Sequence, residues 1–143
     1  MEVIVGFAVA VLGMMAILQL ANRSMGNAGV AERQAQATRY ANEGLDWVKG
    51  QVVELGWTGF LAYATPDPSP PAVYCLNTLV WTAGGNCAAG TVITNTEFTR
   101  TLSMSYKTDI TTSKNLVMAQ LSVTWFEGDR QAVINREYEF VPY

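Results

Sequence analysis

From Val3 to Leu18 every residue of this chain is apolar or glycine, and after Gln19 the run closes with Leu20 and Ala21. Nothing else in the sequence restricts the fold as much. As a helix rising about 1.5 Å per residue, the stretch spans roughly 28 Å, close to the hydrocarbon thickness of a bilayer. It is longer than the usual apolar core of a cleavable secretory signal, and no basic residue precedes it. It also lacks the polar stripe that a helix covering a soluble core keeps. The expectation is a membrane-competent helix.

The flanking charges pull in two directions. Arg23, Arg33 and Arg39 follow the run, and by the positive-inside tendency they would hold the remainder of the chain in the cytoplasm. Cys75 and Cys87 read instead as a disulfide pair, which belongs to an oxidising compartment, with free thiols as the alternative. Two cysteines without a histidine make a poor metal site. A removed basic leader would reconcile these signs, so the chain reads as a processed or truncated product. Glu2, at the edge of the run, has two readings. It is an interfacial carboxylate favoured by the helix dipole, or a charge that finds a cationic partner when helices pack together.

Beyond Ala21 the period changes without a proline. Ala37, Ala41, Leu45, Val48, Val52 and Leu55 recur at steps of three or four, the stripe of an amphipathic helix, and Gly56 stands where a C-cap belongs. Gly6 and Ala10, with Gly13 and Ala16 beyond, are small residues that would admit a neighbouring helix. Residues 56–98 form a loop-rich region, in which the run Thr65–Pro71 holds four prolines. Its aromatic residues, Trp57, Phe60, Tyr63, Tyr74 and Trp81, either close the loop over a small core or meet a ligand or neighbouring subunit. From residue 99 onward, period-2 alternation around Leu102–Tyr106, Val117–Trp125 and Ile134–Phe140 predicts three strands of an antiparallel meander.

Composition narrows the function classes. Nine Lys and Arg against twelve Asp and Glu argue against electrostatic capture of nucleic acid. The absence of histidine removes the usual general base and the commonest metal ligand. Asp67, Glu97, Asp109 and Asp129 are scattered among turns, and Glu127-Gly128-Asp129 has too few oxygens for a calcium cage and reads as a hairpin turn. No enzyme activity, cofactor or metal is expected.

The N-terminal residues Met1-Glu-Val-Ile-Val-Gly-Phe-Ala-Val-Ala-Val-Leu-Gly13, followed by the amphipathic helix and the strands, resemble the type IV pilin and pseudopilin superfamily. The resemblance implies an α+β fold: a long N-terminal helix, half apolar and half amphipathic, packed on a C-terminal antiparallel sheet. It divides the chain into an apolar transmembrane or filament-core helix (1–25), an amphipathic half (26–55), a loop region with the disulfide (56–98) and a β-meander (99–143), with 26–143 as one head. It implies either that Met1 matches the fourth mature position of the family, with three residues and a leader before it, or that Met1 is itself the mature start, with the glutamate out of the family's register.

The function so implied is that of a structural subunit polymerising into a type IV pilus for adhesion, motility or DNA uptake. A secretion pseudopilin or minor pilin is the alternative, and a membrane-anchored binding domain a remoter one. Glu2 would neutralise the N-terminal amine of a neighbour and set registry. The partners would be copies of the chain itself, the membrane before assembly, and the pilus or secretion machinery. The location would be a surface filament, reached from a single-pass state in the cytoplasmic membrane. Two departures accompany the resemblance: no proline ends the apolar run, and the cysteine pair precedes the main strands instead of following them.

Overall fold

The computed structural model describes residues 2–82, 84–111 and 113–142, except for the side chains of residues 2–5, 8–10, 12, 16, 21–23 and 25. Helix α1 runs Glu2–Leu61, and five strands follow: β1 Thr65–Pro66, β2 Ala72–Cys75, β3 Thr99–Thr108, β4 Asn115–Glu127 and β5 Arg130–Phe140. The chain divides into two compact units, Met1–Ala35 and Gln36–Tyr143.

In the first unit the described part of α1 carries Phe7, Met14, Met15, Ile17, Leu18 and Leu20, all largely exposed. In the second unit, alternation along the strands builds one buried face. Val117, Ala119, Leu121, Val123 and Trp125 of β4 turn inward, opposite Tyr106, Met104, Leu102 and Arg100 of β3 in the register Val117↔Tyr106 to Val123↔Arg100. Ala37, Ala41, Leu45, Val48, Val52 and Phe60 of α1 join the same buried cluster.

Gly56 takes φ 68° and ψ 166°, a conformation that costs a residue with a Cβ. It breaks the helix where the sequence places a cap, yet helical turns resume and reach Leu61. Leu55, the residue before the break, is 37% exposed, and beyond the break Phe60 is the residue that enters the core. The hairpin between β4 and β5 turns on Gly128 at φ 63°, joining the pair Glu127↔Arg130. Glycine with positive φ at the first central position suits the right-handed twist of the two strands.

The expected fold class is overturned on two counts. The sheet has five strands and is mixed, because β1 lies parallel to β3 in the register Thr65↔Ser105 and Pro66↔Tyr106, while β2 pairs antiparallel with β3 through Ala72↔Met104 to Cys75↔Thr101. The prolines hid this flank: one that cannot donate to a ladder is compatible with a two-residue strand at a sheet margin, and β1 is that. Further, among the described residues no helix is long and apolar enough to cross a membrane. The architecture is one helix and a mixed five-stranded sheet, in which β3, β4 and β5 run antiparallel in sequence and β1 makes the sheet mixed, in place of a wholly antiparallel sheet under a half-membrane helix.

Candidate functional site

The residues singled out by the sequence fall into three places. Glu2, Ala10 and Ala16 lie in α1, but their side chains are outside the described residues. Gly6 and Gly13 are exposed, and a Cβ built on either meets no atom within 4 Å. Ala37, Ala41, Leu45, Val48 and Val52 are buried, whereas Leu55 is not. Cys75 and Cys87 are bonded, with Cα atoms 4.7 Å apart.

The aromatic residues of the loop region sort themselves by contact. Phe60 enters the core edge-on to Phe140 at 5.1 Å, with Trp57 beside it. Tyr63 and Trp81 stack at 4.1 Å, Tyr74 meets Trp81 edge-on at 5.2 Å, and Trp47 of α1 closes on Trp81 at 5.0 Å. The Trp81 Nε1–H donates to Gln51 Oε1 at 2.7 Å, and the Tyr74 hydroxyl donates to the Tyr63 carbonyl at 2.8 Å. The rings spend their faces on one another and tie the loop between the cysteines to α1. That is the loop-closing role and not an open stacking platform.

Arg100 is the residue that periodicity reading passed over. Its place in β3, two before Leu102 and four before Met104, puts it on the inward face, and it is 1% exposed. A buried guanidinium is tolerated only when its donors are met. Arg100 Nε donates to the Leu76 carbonyl at 3.0 Å; Nη1 donates to the Tyr40 carbonyl at 2.9 Å and to Glu43 Oε2 at 3.2 Å. Burial pulls its pKa below the ordinary arginine value, opposed by the hydrogen bond and charge of Glu43 and by Tyr40. Its own N–H donates to Asn77 Oδ1 at 2.7 Å, while Asn77 Nδ2 is buried without a partner among the described residues. The approach to α1 is possible because residue 44 is glycine: an added Cβ would lie 2.7 Å from Leu121 Cδ1 and 2.9 Å from Arg100 Cδ. A glycine inside an amphipathic helix was the available signal.

This constellation clamps helix, loop and sheet, and it presents no reactive pair. The second unit carries open grooves on its surface. One of about 550 Å³ lies between Gln36, Arg39 and Tyr40 and the turn at Asn95–Phe98, and another of about 400 Å³ lies between Lys49, Val52 and Val53 and the end of β5. Among the described residues no group of three or more histidine, cysteine or acidic side chains is placed to hold a metal ion. No family model, no curated protein and no solved structure matches this chain.

Proposed function

We propose that this chain is a structural subunit that polymerises with copies of itself into a surface filament of the type IV pilus kind. Its N-terminal helical segment would be buried between copies. The observation that carries the reading is the exposure of six large apolar side chains between Phe7 and Leu20 of α1, Phe7 being 73% exposed. At 100° per residue, Ile17 and Leu20 share one side of the helix, Phe7, Met14 and Leu18 the next and Met15 lies beyond them, so the six spread over about 220° of its circumference. A single groove covers one side of such a helix, whereas a bundle of like helices covers all of them. Each side chain so buried contributes about 1.5–3 kcal/mol of hydrophobic stabilisation. The N-terminal likeness to pilins supports the same reading, and the architecture of the sheet is not part of it.

Electron microscopy of the purified chain, with and without Leu18→Glu and Met14→Glu, tests the proposal. Wild-type protein forms filaments, and each charged variant loses them while keeping the Cys75–Cys87 bond and the circular dichroism of the sheet. Filaments that form unchanged in both variants overturn the reading. In the same scheme Glu2→Ala lowers the filament yield, because an apolar interior then loses the carboxylate that pairs with a neighbour's N-terminal amine.

A further inference from the structure

Among the described residues, β5 is the long open edge of the sheet. On the other flank, β1 and β2 both cover β3. The ladder from Val117↔Phe140 to Glu127↔Arg130 runs without a bulge, and β5 contains neither proline nor glycine. A two-residue hairpin closes on a hydrogen-bonded pair, so the even-numbered residues of β5 face β4 and the odd-numbered ones, 131–139, turn their N–H and C=O groups outward. Backbone hydrogen bonds outside the regular ladders and the helix reach none of these outward groups.

Sheet edges of this length are ordinarily blunted by bulges, prolines or charges. Here only charges are available, and one of them is withdrawn: Glu137 Oε1 accepts from Gln120 Nε2 at 2.8 Å and lies back over β4. Val133, 52% exposed, and Tyr138 are left along the margin.

We propose that β5 pairs antiparallel with β5 of a second copy, about a two-fold axis at Asn135, joining two sheets into one. The charges of the strand select this register. Centring on Arg136 sets two arginines face to face, and centring on Glu137 sets two glutamates face to face. Centring on Tyr138 opposes Glu137 and Glu139, and centring on Val133 opposes Arg130 and Arg136. Like charges directly across a ladder are destabilising. Centring on Ile134 leaves the last two residues of β5 unpaired and brings Asp129 opposite Glu139. Asn135 is the midpoint of Arg130–Phe140, so this register alone pairs the whole strand without opposing like charges. It sets Gln131 against Glu139 of the second copy, an amide facing a carboxylate, and Ala132 against Tyr138 of the second copy. The contact is isologous and closes after two copies.

The test uses the full chain in mild detergent. Both native cysteines are bonded, so Asn135→Cys introduces the free thiol. A short bismaleimide cross-links it to a covalent dimer several-fold faster than it does Thr124→Cys, a control on the outward face of β4. Gln131→Glu, an exposed change that leaves the fold intact, opposes two carboxylates and slows the cross-link several-fold; adding Glu139→Gln restores it. Leu18→Glu leaves the cross-link in place, so failure of this proposal and failure of the filament reading are separate results. Equal rates at residues 124 and 135, indifference to Gln131→Glu, or a faster cross-link at Ile134→Cys overturns the pairing. So does an edge that takes an added peptide strand while yielding no homodimer.

Discussion

At residue 44 the absence of a side chain settles how closely α1 can approach Leu121 and Arg100. Gly44→Ala gains helix propensity but drives a methyl into a buried leucine, and the collision prevails: a loss of about 1–3 kcal/mol by urea denaturation. Gly50 is helical, exposed and open around its Cβ position, so Gly50→Ala raises stability by about 0.5–1 kcal/mol in the same assay. The arginine beside Gly44 has its own asymmetry. Arg100→Met removes one donor each from the Leu76 and Tyr40 carbonyls. Both carbonyls keep a backbone partner, Leu79 N–H for Leu76 and the helix for Tyr40, so about 1–3 kcal/mol is expected in total by urea denaturation. Glu43 is half exposed, and Glu43→Gln keeps an acceptor, so that change costs about 1 kcal/mol or less by the same measurement. The periodicity that revealed Leu102 and Met104 also assigns Arg100 inward, but charge discouraged that reading: no local pattern shows that Leu76, Tyr40 and Glu43 converge on it.

At the scale of elements, the break in α1 decides which aromatic residue completes the core. The stripe from Ala37 to Val52 is legible from spacing alone, because a helix repeats its face every three or four residues. Extrapolating it to Leu55 fails, for Leu55 stays exposed, and beyond the break at Gly56 Phe60 packs against Phe140. Gly56→Ala meets no steric neighbour, so its whole effect is the left-handed backbone, a loss of about 1–2 kcal/mol seen as a lowered unfolding midpoint. The strands β3, β4 and β5 were legible from alternation. The short strands β1 and β2 were not, because two to four residues carry no period and their pairing depends on β3, which lies 40 residues further along for β1 and 26 to 32 for β2.

Across the whole molecule, the loop between the cysteines is held by a covalent bond at its ends and by Trp81 and Tyr74 within. Burial, with a smaller contribution from Tyr63, raises the Tyr74 pKa above the ordinary value of 10.0. The folded state therefore holds the phenol proton more tightly than the unfolded chain, and the stabilisation is fully present below about pH 10 and is lost as pH rises through the raised folded value. Wild type is accordingly more stable than Tyr74→Phe at neutral pH by about 1 kcal/mol, the worth of the hydroxyl bond to Tyr63. Chemical denaturation at a series of alkaline pH values shows that gap closing. The amino-acid sequence by itself determined what is periodic or compositional: the apolar N-terminal run, the buried stripe of α1, three strands and the absence of histidine. Those properties follow from neighbours along the chain. Only the tertiary structure decided the parallel margin of the sheet, the burial of Arg100 beside a glycine and the long unpaired edge of β5, because each depends on which distant segments come to lie side by side.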